Sequence, residues 1–91
     1  MSKPFVAILM GSDSDFPVMQ STLEILKSFD ITTEVKVTYA HRTPAATHAY
    51  VTDAESRGCK VFICAAGLAA HLAGAVAGIT TRPVIGVPID R

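Results

Sequence analysis

Four short apolar runs recur along the chain, each followed by a polar or glycine-rich stretch that opens an amphipathic segment. Phe5 to Met10 is apolar at every position and closes at Gly11. A run with no polar face fits a parallel strand covered on both sides. Met19, Leu23, Leu26 and Phe29 then recur at spacings of four, three and three, which is one helical face and predicts a helix from Asp15 to Phe29. Asp15 is its expected N-cap, and Pro17 is tolerated in the first turn. Thr33 to Tyr39 alternates, with Val35, Val37 and Tyr39 on one side and Glu34, Lys36 and Thr38 on the other. That pattern predicts an edge strand with a more polar face. Thr43-Pro44 reads as N-cap and first residue of a helix running to Arg57, and Gly58 stops it. Lys60 to Ala65 is a third strand, Leu68 to Gly78 an alanine-rich helix, and Val84 to Val87 a fourth strand.

The order βαβαβαβ predicts one α/β domain over residues 1–91. Right-handed crossovers place helices on both faces of a parallel sheet, giving three layers. The expected strand order is 2-1-3-4, the start of a flavodoxin-like, Rossmann-like sheet. Repeats, low-complexity tracts and linkers are absent from the sequence.

Composition narrows the classes of function. Eight basic and eight acidic side chains cancel, so no charge excess favours nucleic acid or an anionic membrane. The apolar fraction of 49% is high for a small monomer and points to a nearly all-buried sheet or to burial in an oligomer. The longest apolar run falls short of a membrane span, and no signal peptide is visible. Cys59 and Cys64 lie five apart in one strand, which places them on opposite faces. They make no CxxC pair and read as buried core thiols, consistent with a reducing, cytoplasmic setting. Three histidines without paired cysteines or close carboxylates give no metal-ligand pattern, so no metal is expected.

The residues able to do chemistry gather in the loops after strands 1, 2 and 3. In open α/β sheets those loops converge where strand order reverses, and ligands bind there. Gly11-Ser12-Asp13-Ser14-Asp15 offers a tight turn, the Ser12 and Ser14 hydroxyls and free N–H groups at a helix start, which suit a phosphate or ribose. A carboxylate is repelled by phosphate, so Asp15 is assigned to sugar hydroxyls or a ring amine. Ala40-His41-Arg42-Thr43-Pro44 sets a proton-transfer residue beside a bidentate anion binder. Ala65-Ala66-Gly67-Leu68-Ala69-Ala70-His71 lets a ligand approach the backbone and adds a second histidine near the same cleft. His48, inside a helix, reads as a surface or packing residue. Each loop alone also has an ordinary reading: a capped turn for the first, a solvated histidine for the second and close helix packing for the third. Together they imply a phosphate-bearing small molecule and proton transfer by histidine.

MGSDSD, AHRTP and AGLAAHLAG, in this order and spacing, resemble 5-(carboxyamino)imidazole ribonucleotide mutase, the bacterial-type phosphoribosylaminoimidazole carboxylase catalytic subunit. The resemblance covers essentially all 91 residues, and the HRTP form is similar to the mutase class. It implies a purine-biosynthesis isomerase that needs no cofactor and moves a carboxylate from the exocyclic amine of an imidazole ribonucleotide to a ring carbon. By position His41 is then the general acid/base, with His71 beside it. Ser12, Ser14, Asp15, Tyr39, Ala40, Arg42, Ala66, Gly67, Ala70 and Leu72 fall on the substrate-binding positions, with Arg42 on the phosphate. The resemblance further implies a homo-octamer and a functional link to the ATP-dependent carboxyaminoimidazole ribonucleotide synthase.

The chain departs from the family pattern at Tyr39, where serine is usual, at Leu68, where a second glycine is common, and at Ala73, where proline is common. Family members also continue past the equivalent of Arg91 into a fifth strand and a C-terminal helix, which leaves VIGV as an expected apolar edge. Two other readings stay open on sequence alone. One is a catalytically inactive fragment or paralogue acting as a nucleotide-binding or oligomerising module. The other is a flavin-phosphate binding module, which leaves the His41-Arg42 pair without a role.

Overall fold

A computed structural model describes residues 4–38, 44–67 and 69–89, with backbone alone at Ala69 and Ala70. Strands β1 (Phe5–Met10), β2 (Thr33–Val37), β3 (Cys59–Ala66) and β4 (Val84–Pro88) alternate with helices α1 (Phe16–Ser28), α2 (Pro44–Ser56) and α3 (Ala69–Ala77). All strand pairs are parallel and the order is β2-β1-β3-β4. The expected three-layer flavodoxin-like sheet is therefore present. Among the described residues, no helix is long and apolar enough to cross a membrane.

The reversal of direction after β2 divides the helices between the two faces. A right-handed crossover from β1 to β2 puts α1 on one side, and the opposite sense of travel puts α2 and α3 on the other. Two core clusters result. Ile8, Met10, Ile63 and Ala65 pack with Met19, Leu23 and Leu26 of α1. Phe5, Ala7, Leu9, Phe62 and Cys64 pack with Val51 and Ala54 of α2 and Leu72 and Val76 of α3.

Local stops follow side-chain chemistry. Helix α1 ends in a Schellman arrangement: Ile31 N–H donates to Leu26 O at 3.0 Å and Asp30 N–H to Lys27 O at 2.9 Å. Asp30 takes the left-handed position at φ 60°, which a short polar side chain tolerates. Gly58 ends α2 at φ 111°, a conformation that L side chains rarely adopt.

Three expectations are corrected. Phe29 is 71% exposed, because the chain has already left the helix there, and the buried stripe of α1 is Met19, Leu23 and Leu26. Asp15 makes no side-chain cap; Ser12 caps a 3-10 turn over Asp13–Asp15 instead. Cys59 and Cys64 lie on the same face, in one cluster. The cause is a bulge: Phe5 pairs with Cys59 but Val6 with Val61, so Lys60 is an extra residue that reverses the alternation. Both thiols are free and buried, and burial pushes Cys64 up to about 12. Strand β2 is an edge strand, as expected, with Glu34 partly buried and Lys36 exposed. Glu34 and Lys36 pair with Ala7 and Leu9, on the side of the sheet that α2 covers. At the opposite edge, Ile85 of β4 is 51% exposed, an apolar position open on the sheet.

Candidate active site

The ends of β1 and β3 bring two of the three sequence loops into direct contact. Gly11 N–H donates to Ala65 O at 3.1 Å. A Cβ built on Gly11 would lie 3.1 Å from the Cβ of Ala66, tighter than an ordinary side-chain contact, so a residue without one is needed at this crossing. In the first loop Ser12 is extended, and its Oγ accepts from Ser14 N–H at 3.2 Å and lies 2.9 Å from Ser14 Oγ. The two hydroxyls thus hold each other at the turn. Asp15 follows with its side chain enclosed, at 1% exposure, and its N–H donates to Ser12 O at 3.1 Å. It stands at the head of α1, where the helix dipole favours a negative charge.

The third loop opens on Ala66, which is buried, and Gly67, which is exposed. Ala66 is held from its other side, since its carbonyl accepts from Ile89 N–H at 3.0 Å. His71 is exposed in the first turn of α3. Leu72 turns its side chain into the core beside Val51, Phe62 and Val76, at 4% exposure. A ligand above the sheet would meet its backbone rather than its side chain. The side chain of Ala70 and all of Leu68 lie outside the described residues.

Tyr39, Ala40, His41, Arg42 and Thr43 lie outside the described residues as well, but both attachments of their segment are described. Thr38 N–H donates to Met10 O at 2.8 Å, which sets the end of β2 against the end of β1. Its hydroxyl is hydrogen-bonded to that of Thr47 in α2, and both residues are buried. All three loops therefore leave the same end of the sheet, around the β1–β3 switch point.

The model of the AIR carboxylase family matches residues 5–91. The chain belongs to the AIR carboxylase family. It is 55% identical over 86 residues to the N5-carboxyaminoimidazole ribonucleotide mutase of Thermotoga maritima, which covers 94% of this chain and 50% of that protein. It is 53% identical over 89 residues to the phosphoribosylaminoimidazole carboxylase of Saccharomyces cerevisiae, covering 98% of this chain and 16% of that one. The crystal structure of Treponema denticola PurE superposes with a TM-score of 0.88 at 30% identity, over 98% of this chain and 57% of that chain. The chain spans about half the length of the curated mutases it matches.

Within this AIR carboxylase family member, the Gly11–Ala66 contact joins two site loops, and its tolerance can be tested. Gly11→Ala should cost about 1 kcal/mol, the scale of a small overpacking strain, because Ala66 is held by Gly11 on one side and Ile89 on the other. Adding Ala66→Gly should recover most of that loss. Urea unfolding of both single variants and the double checks this, and strictly additive effects would show that the two residues do not compete for space.

Sequence reasoning missed the polar contacts that fasten α2 to β2. Glu34 accepts from Tyr50 Oη at 2.7 Å and from Arg57 through two bonds, at 2.7 and 2.8 Å. Arg57 Nε also donates to Asp53 at 2.6 Å. The signal was present as a polar stripe on an otherwise apolar sheet, but its partners are 16 and 23 residues away. Arg57 and Tyr50 hold the Glu34 carboxyl down at about 2, below the ordinary 4.5. With the folded-state value depressed, this contribution is complete above pH 4.5 and is lost as pH falls toward 2. Glu34→Gln should therefore cost about 1 kcal/mol at pH 7, since the pair is only half-buried. It should also flatten the acid limb of the stability profile. Urea midpoints at pH 7 and pH 3 decide it, and parallel acid losses in both proteins would count against the assignment.

Proposed function

We propose that this chain carries the catalytic front of an N5-carboxyaminoimidazole ribonucleotide mutase and belongs to de novo purine biosynthesis. The observation that carries the reading is the family match over residues 5–91, with the site loops leaving one end of the sheet. The reaction is an intramolecular carboxylate migration. The N–C bond to the carboxylate breaks, carbon dioxide is released into the pocket, and the exocyclic nitrogen takes up a proton from protonated His41. The ring carbon then attacks carbon dioxide and gives up its proton to His41, restoring the aromatic ring.

The chain's residues divide that work by chemistry. Arg42 takes the phosphate through paired N–H donors. Ser12 and Ser14 offer hydroxyls to the phosphoribosyl group, and Asp15 accepts from ribose. Ala66, Gly67 and Ala70 permit close approach of the base to backbone N–H groups, as Ala40 does from the second loop, where Tyr39 adds a phenol beside the substrate. His71, exposed at the start of α3, faces the migrating carboxylate. The reaction calls for no added cofactor. Residues 1–91 form one α/β domain that self-associates, works in the cytoplasm and receives its substrate from an ATP-dependent carboxylation of the same amine.

The test is a spectroscopic assay of the purified chain with the carboxyamino ribonucleotide, following the ultraviolet band of the ring-carboxylated product. Product formed faster than in buffer supports the reading. Turnover no faster than spontaneous decarboxylation, in a protein that is folded by circular dichroism, would overturn it for this chain.

A further inference from the structure

Strand β2 is an edge of the sheet, so only one side of its backbone is bonded to β1. In a parallel ladder, alternate residues of a strand make those bonds. Val6 N–H donates to Thr32 O at 2.9 Å and Thr38 N–H to Met10 O at 2.8 Å, which assigns the inward bonds to the even-numbered residues. The N–H and C=O groups of Thr33, Val35 and Val37 therefore face outward along the free edge. The side chains between them alternate in charge, with Glu34 and Lys36 on one face of the sheet. On the other face Val35 is 37% exposed. We infer that this edge pairs with the same edge of a second copy, antiparallel and centred on Val35, joining two four-stranded sheets into one across a two-fold axis. The inference gives a surface to the self-association proposed above and rests on that reading, not on the reaction.

Two constraints set the register. Outward backbone groups meet only where odd residues oppose odd residues, which excludes a slip by one. Centring on Val35 sets it against the partner's Val35, and Thr33 against the partner's Val37, and each such pair exchanges two hydrogen bonds. Between them Glu34 lies opposite the partner's Lys36, and Lys36 opposite the partner's Glu34, at the positions where side chains stand closer. Opposite charges facing across an antiparallel pair are stabilising, and like charges are destabilising. The two neighbouring registers that also match odd with odd set Glu34 against the partner's Glu34, or Lys36 against the partner's Lys36. The strand thus favours one pairing and disfavours the nearest alternatives. Lys36 is exposed and Glu34 keeps 37% of its side chain exposed beside Arg57, so both can reach across. On the other face α1 carries two further exposed apolar residues, Ile25 and Phe29, for a second copy to cover.

A lysine on an edge strand also serves to discourage pairing. That use needs only a charge. Here the opposite charge stands two residues away, where the two-fold brings it against the lysine. The other edge, β4, has no charged residue in Val84–Pro88 and so sets no register of this kind.

Sedimentation velocity over a range of concentrations tests the pairing, and wild type should show a monomer–dimer equilibrium. Lys36→Glu sets a second carboxylate against Glu34 on both sides of the axis and should raise the Kd roughly tenfold or more. Val35→Pro removes an outward N–H and none of the bonds to β1, so it should fold as wild type by circular dichroism and stay monomeric. Val35→Cys should form a disulfide-linked dimer on mild oxidation, because Cα atoms of a hydrogen-bonded pair lie about 5.5 Å apart, within disulfide reach. Val18→Cys, at an exposed position on α1, should not. Association that survives Val35→Pro and Lys36→Glu unchanged, or equal cross-linking at residues 18 and 35, would overturn the edge pairing and leave self-association to another face. A wild-type chain that is monomeric at every concentration would overturn both.

Discussion

Replacing His41 with asparagine lowers turnover of the carboxyamino ribonucleotide by about a thousandfold, within the range that a positioned general acid/base contributes. Asparagine keeps a planar polar group of similar reach but cannot take up a proton near neutral pH. The proton on the ring carbon then has no acceptor when the new carbon–carbon bond has formed. Folding should be unaffected, with a melting temperature within a few degrees of wild type. His48→Asn is the matched control: it removes an exposed imidazole from α2 and should leave turnover unchanged. His71→Asn should fall between the two, since that residue shares the end of the sheet but not the strand-end position of the acid/base. A His41→Asn protein with wild-type rates would remove the residue from the mechanism and shift attention to His71.

The legible parts of this molecule are those set by local pattern. An unbroken apolar run from Phe5 to Met10 admits few readings besides a doubly covered strand, and β1 has those bounds. The candidate site loops stood out because glycines, serines, histidines and an arginine followed strand ends, where the backbone of an α/β sheet opens. What was not legible depended on partners distant in sequence. Cys59 changed faces because a bulge at Lys60 altered the register against β1, and no feature of β3 alone encodes that. Leu72 lay within a site motif but answers to Val51 and Phe62. Asp15 looked like a cap, yet Ser12 reached the turn first. The polar face of β2 was legible, but its partners Tyr50 in α2 and Arg57 just past it lie 16 and 23 residues away.

The other large effect concerns the core beneath the site. Phe62→Ala should destabilise the chain by about 3–5 kcal/mol, from lost transfer energy and the void left behind. Phe62 is fully buried in the cluster shared by β1, β3, α2 and α3, and its N–H donates to Pro83 O at 3.0 Å. Neighbours on four elements are held by their own strand and helix bonds, so the cavity cannot collapse cheaply. A domain of this size has only about 5–14 kcal/mol in total. The loss should therefore lower the melting temperature by roughly 15 °C or more. Phe5→Ala offers the comparison: Phe5 sits at the start of β1, at 7% exposure, where the Arg57 guanidinium lies 5.2 Å from its ring centroid and water can enter. Its cost should be smaller. Equal losses at the two positions, read by thermal circular dichroism, would show that the core is not centred on β3. Because Phe62 lies in the core beneath the site, its variant should lose activity mainly in proportion to the unfolded fraction. Cooling, or a ligand that binds the folded form alone, should then restore the rate per folded molecule to that of wild type.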